Sequence, residues 1–375
     1  MSLRHSIPLL LGRLSAKLPP AVDAQIWRYL RLGKVQHLVR LTGPTHAGMT
    51  GTMIVGGHDP LEEFLPNRFF ASTPEVVALG DVSVFQLPRR LRELRATVDL
   101  TAIKLDRVLI KFVFNADYLR VPEWMRSSMP IPESIEKVAS GHNSLRQDLR
   151  LIRKYQLGFI ESHSEEDLVE FFNTMYRPHG LGRHGPSAQL RSFASVRHAL
   201  KRGALLWITC EGQKVAGVVL EFRNRRMILS ALGAAGGDEG LMKKGVLAAT
   251  YYFSMQYGRA QGCPTVDFGG TRPSLHDGLL RYKRKWGAVI VPKPLNPFDT
   301  LVWWPVLNPS IAAMLKTTPL VFRDHGALSA LLLDSEPPLA PELARGLRRV
   351  CLVAAGTPFD GSHKKRQLSV PAGSC

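Results

Sequence analysis

An α/β fold, with a mixed sheet flanked by helices, is what the sequence predicts, and three observations carry that prediction. Between Phe159 and Val291 the hydrophobic period alternates between helical and strand-like, in the order β-α-α-β-β-β-α-β-α-β. Glycine and proline separate these periodic stretches and mark their ends. The chain has 375 residues and 45% hydrophobic content, which is ample for folded cores and excludes disorder throughout.

The first elements of this order follow a basic amphipathic helix that begins near Ser144. A short strand at 159–160 is followed by Ser164 and three acids, which favour a helix start, and the helix runs to about residue 176. The glycines and prolines of residues 178–186 predict a loop, and a second helix covers 188–201.

The next elements are three strand-like runs at 204–210, 214–222 and 227–232, joined by short polar turns, which predict an antiparallel meander. A helix then begins near residue 240 and ends at Gly262. The last elements are a strand at 265–268, a glycine turn at 269–270, a helix at 277–286 and a final strand at 288–291.

Residues 266–288, VDFGGTRPSLHDGLLRYKRKWGA, resemble the C-terminal signature of FemAB-like proteins of the GNAT fold. In that signature a strand ends in a glycine turn before a helix of the form GL..(F/Y)K..(F/W)G. The resemblance covers roughly residues 144–291 and looks closest to the acetyltransferase group of envelope and polysaccharide gene clusters. It implies that an acyl group, acetyl or aminoacyl included, is transferred from a phosphate-bearing donor to an amine or hydroxyl acceptor.

The resemblance also sets the expected domain organisation, because FemAB-like proteins commonly carry two GNAT-like halves. Residues 35–140 are therefore expected to be a degenerate first half, the alternative being an α+β extension particular to the family. In that half, strands are predicted at 38–41, 52–55, 82–86 and 108–114, and helices at 61–65 and 88–94. The other segments are an N-terminal extension at 1–34, the GNAT-like acyltransferase domain at 141–291, an apolar covering segment at 292–355 and a flexible basic tail at 356–375.

The acyl donor is expected at the start of the helix near residue 240, because amides at a helix N-terminus lack intrahelical partners and attract phosphates. Four residues stand there: Gly240, Lys243, Lys244 and Gly245. Arg272, after the glycine turn, is a candidate anion clamp or, alternatively, a surface ion-pair residue. The segment matches the (Q/R)xxGx(G/A) loop of CoA-binding relatives only in part. Acyl-CoA is the expected co-substrate, acyl carrier protein and aminoacyl-tRNA remain alternatives, and no permanently bound cofactor is expected.

Two residues are the candidates for catalysis. Lys283 matches the motif lysine of the resemblance, which implies a cation that stabilises the developing oxyanion or the donor phosphates. The alternative places Lys283 on a solvated face with Arg281, Arg284 and Lys285. Asp267 ends a strand beside the donor, where a carboxylate could orient or deprotonate the acceptor. Equally, Asp267 could cap the glycine amides that follow it.

Residues for the acceptor are expected on the first helix and the loop after it: Asn173, Tyr176, His179 and His184. The two histidines are five residues apart, without a nearby cysteine or carboxylate, which is weak support for zinc, so no metal is predicted. The sequence also lacks a serine or cysteine in a nucleophile elbow, which leaves hydrolase chemistry without support. The acceptor itself is expected to be a small molecule or a component of the cell envelope.

The charge of the chain predicts anionic partners, because 49 Lys and Arg stand against 31 Asp and Glu, a formal charge of +18. Donor phosphates, tRNA and an anionic membrane surface all meet that description. Four cysteines without paired spacing indicate a reducing compartment, and no transmembrane segment is predicted. A cytoplasmic protein is expected, with peripheral membrane contact left open. The alternative function is a non-catalytic, degenerate GNAT protein that binds RNA or an anionic membrane.

Overall fold

A computed structural model describes residues 35–57, 64–114, 117–140, 142–185, 188, 190–235, 239–292, 297–337, 339–359 and 367–369. Within these ranges the strands form three sheets of six, seven and four strands. Helices flank the two larger sheets, so the chain is a mixed α/β protein as the hydrophobic periods predicted. The predicted extension at 1–34 and most of the predicted basic tail lie outside the described residues.

The first sheet has the strand order β3-β1-β2-β4-β13-β5. Its strands are β1 Val35–Pro44, β2 Thr50–Gly57, β3 Glu75–Ser83, β4 Leu100–Asp106, β5 Leu119–Pro122 and β13 Phe298–Trp303. The helices of this region are α1 Pro66–Phe69, α2 Leu87–Leu94 and α3 Arg107–Val113. β1 is antiparallel to β2 and β3, whereas β2 and β4 are parallel.

The second sheet has the order β12-β6-β11-β10-β9-β8-β7. Its strands are β6 Met125–Pro130, β7 Gly158–Ser162, β8 Gly203–Cys210, β9 Gln213–Arg223, β10 Arg226–Ala234, β11 Thr265–Thr271 and β12 Val289–Val291. The helices around it are α4 Ile135–Ser140, α5 Asn143–Lys154, α6 Glu165–Phe171, α7 Arg177–His184, α8 Phe193–Leu200, α9 Glu239–Lys243, α10 Val246–Ala260 and α11 Gly278–Lys285, with a π-helical turn Phe172–Tyr176 between α6 and α7. The pairing of β8, β9 and β10 confirms the predicted meander.

The second sheet is buried on both faces, which is why β9, one of its inner strands, has a long run of buried residues. Residues 215–221 of β9 are all buried. One face of the sheet packs under α5 and α10, and the other under α6 to α8. Gly217 lies against the second group, where a Cβ would stand 2.7 Å from the Phe171 ring, so the strand allows a close approach of α6 there.

The two larger sheets exchange one strand each. β6 precedes the second half in the chain, yet it lies between β11 and β12 and is antiparallel to both. β13 follows the second half, yet it lies between β4 and β5 and is antiparallel to both. Each exchanged strand adjoins a parallel pair, β2/β4 or β10/β11. The two sheets therefore repeat one order of strand directions, as expected for two similar halves, although β3 follows β2 in the chain whereas β8 precedes β9. The predicted domain boundaries stay a prediction, and β6 and β13 cross them.

The third sheet follows β13 and has the order β14-β15-β16-β17. Its strands are β14 Leu320–Asp324, β15 Ala327–Leu333, β16 Arg349–Val353 and β17 Gln367–Ser369, with helices α12 Pro309–Thr317 and α13 Pro341–Ala344. Its buried residues join those of β6, α11 and β12 in one core cluster. The segment predicted as a covering segment thus contributes a sheet of its own as well as β13.

Three predictions of secondary structure were wrong, and most of the helix predicted at 61–65 lies outside the described residues. The strand predicted at 82–86 ends at Ser83, and residues 84–86 form a turn. The residues predicted as a loop after Tyr176 form α7, which continues directly from the π-helical turn and has Pro178 as its second residue. Gly180 packs so closely on Leu190 that a Cβ would be 2.4 Å from Cδ2 of that side chain. The predicted strand at 108–114 is α3, because the Asp106 carboxylate accepts a hydrogen bond from the Val108 N–H at 2.8 Å and caps the helix.

Candidate functional site

The parallel pairing of β10 and β11 lasts for only three residues, and the strands then separate. The paired residues are Arg226 with Thr265, Met227 with Val266, and Ile228 with Asp267. Just beyond, the register of β10 shifts between Leu229 and Ala231, and that of β11 shifts between Asp267 and Gly270. The strand divergence, as we call the region beyond Ile228 and Asp267, lies at the carboxyl ends of the two parallel strands. Ligands of α/β sheets commonly bind at such ends.

The glycines of β11 shape the strand divergence. The sequence predicted that the strand ends at residue 268, but β11 continues to Thr271 because Gly269 adopts a left-handed conformation, with φ of 76°, as part of a bulge. The Gly270 carbonyl then accepts a hydrogen bond from Lys283 Nζ at 2.8 Å, and the Gly269 carbonyl accepts one from Ser127 Oγ at 3.5 Å. The bulge thus turns backbone oxygens toward side chains of α11 and β6.

Asp267, predicted as a catalytic carboxylate, has both oxygens engaged by the protein. The side chain is 1% exposed, its Oδ1 accepts a hydrogen bond from the Gly269 N–H at 2.8 Å, and its Oδ2 lies 2.5 Å from Arg126 Nη2. The hydrogen bond from Gly269 is the one expected under the alternative interpretation, in which Asp267 caps the glycine turn. Its catalytic role stays a prediction. Arg126, which comes from the exchanged strand β6, was not identified from the sequence.

Lys283 is buried, so the alternative of a solvated face does not hold for this residue. It is 2% exposed and reaches β11 from α11, a helix that Asp277 caps by accepting a hydrogen bond from the Leu280 N–H at 2.8 Å. Burial lowers the pKa of Lys283 to about 7, while the charges of Asp267 and Asp277 oppose that shift. Arg126 neutralises Asp267, so the charge of protonated Lys283 is left opposite Asp277, which is only half-buried.

A cluster of aromatic side chains lines the strand divergence next to Lys283. Tyr251 of α10 packs on Phe268 at 5.0 Å, on Tyr282 at 5.2 Å and on Trp286 at 5.8 Å between ring centroids. Burial raises the pKa of Tyr251 and of Tyr282, so both hydroxyls stay protonated at neutral pH. The charge of Arg183 acts on both tyrosines in the opposite direction.

The residues predicted to bind donor phosphates differ in exposure and in what they contact. The predicted helix is divided into α9 and α10 at Gly245, whose φ of 85° places it in the left-handed region. Lys243 and Gly240 are exposed on α9, whereas Lys244 Nζ lies 5.6 Å from the Tyr155 ring centroid. A Cβ at Gly245 would stand 3.0 Å from Leu151 Cβ of α5. Gly245 thus permits helix packing here, where an approaching ligand was expected.

Arg272 packs on aromatic side chains. Its guanidinium carbon stands 4.1 Å from the centroid of the Trp124 ring and 5.6 Å from that of Phe64. Both aromatic residues come from the part of the chain that precedes the second half. Stacking on Trp124 explains the position of Arg272 through a cation–π contact, and its role as an anion clamp stays a prediction.

The predicted acceptor residues lie along α6, the π-helical turn and α7. Asn173 is exposed, and its Nδ2 donates to the Val169 carbonyl at 3.0 Å within the same helical stretch. Tyr176 is buried, and its hydroxyl accepts a hydrogen bond from the Arg191 N–H at 2.8 Å. His179 is half-buried on α7, while the His184 side chain lies outside the described part of the structure. These contacts give Tyr176 a structural task and leave acceptor binding by the four residues untested.

Three further features of the described ranges concern metals, cysteines and membranes. There, no three side chains of His, Cys, Asp or Glu come together as a metal site. Cys210, Cys263 and Cys351 are buried free thiols. Across the same ranges, no helix is both long enough and apolar enough to cross a membrane.

Comparisons with known proteins found relatives by structure only, because no family model and no curated protein matches the sequence. L-PGS from Bacillus licheniformis is 13% identical with a TM-score of 0.36, over 70% of this chain and 83% of that chain. FemX is 13% identical with a TM-score of 0.35, over 72% and 89%. A GCN5-related N-acetyltransferase from Kribbella flavida is 12% identical with a TM-score of 0.27, over 92% and 70%. These likenesses are too distant to assign an activity.

Proposed function

We propose that this chain is a FemAB-like N-acyltransferase of the GNAT type that works at the strand divergence between β10 and β11. The observation that supports it is the buried ammonium group of Lys283, held 2.8 Å from the Gly270 carbonyl where the strands separate. Asp267, the neighbouring carboxylate, is already neutralised by Arg126. A burial so costly for a lysine is expected at a site that uses the charge.

In this proposal Lys283 stabilises negative charge on the acyl carbonyl oxygen. The acceptor amine or hydroxyl attacks the carbonyl carbon, the bond from that carbon to the donor breaks, and the proton lost by the nucleophile passes to the leaving group. A preorganised cation in a site with little water stabilises the oxyanion more strongly than water does. The aromatic cluster of Tyr251, Phe268 and Trp286 keeps the site apolar on one side.

The donor in this proposal carries phosphates, and acyl-CoA is its expected form. Lys243 is exposed on α9, and Lys244 follows it, so both are positioned to attract phosphates outside the strand divergence. Acyl carrier protein and aminoacyl-tRNA present the same chemistry, and the +18 charge of the chain suits tRNA in particular. The acceptor is proposed to be a small molecule or an envelope component, handled in the cytoplasm or at its membrane surface.

The proposal is tested by incubating the protein with radiolabelled acetyl-CoA, longer acyl-CoAs and charged tRNA, and measuring protein-dependent transfer or hydrolysis. Lys283→Met is compared with Arg281→Met, a matched loss of charge at an exposed position of the same helix. We expect turnover to fall about 10²–10³-fold in the first variant and to stay unchanged in the second. Equal rates in Lys283→Met and the wild type would contradict the proposal.

Two observations favour a second function: protein groups already contact both oxygens of Asp267, and Lys243 is exposed whereas Lys283 is buried. The two lysines and Asp267 do not line a common open cleft, since Lys243 is exposed and the other two are buried. A degenerate GNAT protein that binds RNA or an anionic membrane would show this arrangement. It is indicated if no donor supports transfer, while RNA or anionic vesicles bind in a salt-dependent manner.

A further inference from the structure

Arg284 is a buried guanidinium that has no hydrogen-bonding partner within the described ranges. It is 9% exposed, and its Nε, Nη1 and Nη2 atoms are all buried and unbonded. Other well-buried arginines of this protein are paired: Arg323 Nε lies 2.8 Å from Asp299 Oδ1, and Arg126 lies 2.5 Å from Asp267. Arg284 therefore departs from the way this chain otherwise accommodates buried positive charge.

The charge on Arg284 persists although it is unpaired. Burial lowers its pKa to about 10, which leaves the guanidinium protonated at neutral pH. An unpaired buried charge destabilises a folded protein by several kcal/mol, and buried donors without acceptors add to that cost. The charge of Glu342 acts on Arg284, but the two side chains form no ion pair. An acceptor for three nitrogen atoms is thus missing at this position.

Arg284 faces the third sheet, away from the strand divergence. Leu280 precedes it by one helical turn on the same side of α11 and packs in a cluster with Ile290 and Leu347. We call residues 339–347, which carry α13, the cover segment; they are a small part of the segment 292–355 predicted as a covering segment. Its Gly346 lies so close to β12 that a Cβ would stand 2.2 Å from the Ile290 carbonyl oxygen. The three nitrogens of Arg284 are buried, so an anion reaches them only when the packing around Arg284 opens.

We propose that Arg284 anchors an oxyanion-binding site between α11 and the cover segment, where it holds a phosphate or carboxylate group. The planar guanidinium presents paired N–H donors that match two oxygens of either group. Lys283 points from the same helix toward β11, so this site is distinct from the one used in acyl transfer. Glu342 is exposed on the cover segment and repels an incoming anion. The site does not depend on the proposed activity.

Thermal unfolding in a low-phosphate buffer, with chloride holding the ionic strength constant, tests this site. Inorganic phosphate and sodium acetate are titrated separately, because one represents a phosphate group and the other a carboxylate. We expect one of them to raise the melting temperature of the wild type in a saturable manner, by about 3 °C or more. Arg284→Met should melt above the wild type without added anion, since an unpaired buried charge is removed, and should not respond to either anion.

The control for general binding to a basic surface is Arg281→Met, which should respond as the wild type does. Glu342→Gln should bind the effective anion several-fold more tightly, because a repelling charge is removed. The site is refuted if neither anion stabilises the wild type, or if Arg284→Met keeps the response. A lower melting temperature of Arg284→Met in the chloride buffer, before phosphate or acetate is added, also refutes it, since that result means that the guanidinium has a partner within the protein.

Discussion

Lys283→Met is expected to make this protein more stable and less active at once. Burial lowers the pKa of Lys283 from 10.5 to about 7 in the folded state. Between these two pH values the unfolded chain binds a proton that the folded chain does not, so the free energy of unfolding of the wild type rises with pH. The two pKa values differ by about 3.5, and each unit is worth about 1.4 kcal/mol. Below pH 7, protonated Lys283 therefore lowers the free energy of unfolding by on the order of 5 kcal/mol.

Methionine removes that penalty because it is neutral at every pH, and it has nearly the length of lysine. It also loses the hydrogen bond to the Gly270 carbonyl, which is worth about 1 kcal/mol. The variant should therefore be more stable than the wild type by a few kcal/mol at pH 7, and the difference should shrink toward pH 10. Chemical unfolding at pH 7, 8.5 and 10 measures this, with Arg281→Met within about 0.5 kcal/mol of the wild type throughout. A less stable Lys283→Met at pH 7, or a difference that does not change with pH, would refute the reasoning.

Further predictions concern the same region. The charge of Asp267 raises the pKa of Lys283, so in Asp267→Asn the decline of turnover with rising pH should occur at a lower pH. An unchanged pH profile would mean that Asp267 does not act on the group whose titration limits turnover. Lys243→Ala should raise the apparent donor constant several-fold with little change in kcat, and a loss in kcat alone would argue against phosphate binding at α9. Gly245→Ala should lower stability by about 1–3 kcal/mol in chemical unfolding, because of its positive φ and the neighbouring Leu151; an unchanged unfolding midpoint would mean that α5 can shift. Affinity for tRNA should fall steeply between ~50 and ~200 mM salt, and binding that ignores salt would leave the charge of the chain unexplained.

Local signals in the sequence predicted much of the second half. The meander of β8 to β10 follows from apolar runs and short turns, both of which act over a few residues. Ser164, predicted to begin a helix, accepts a hydrogen bond from the Asp167 N–H at 3.0 Å. The α7 segment misled the prediction because glycine and proline have more than one use. Only the approach of Leu190 shows that Gly180 belongs to a packed helix.

The candidate site required the tertiary structure, because its members come from distant parts of the chain. The sequence by itself identified Lys283 and Asp267 and placed them near a glycine turn. It could not show that Lys283 is buried, since that follows from the packing of α11 on β11. It could not show either that Arg126 pairs with Asp267, since that follows from the insertion of β6 beside β11. Ser127 and Gly269 meet across 142 residues of sequence. Periodicity and capping depend on neighbours within a turn or two, whereas burial and pairing of charge depend on which strands lie side by side, and that the packed fold alone decides.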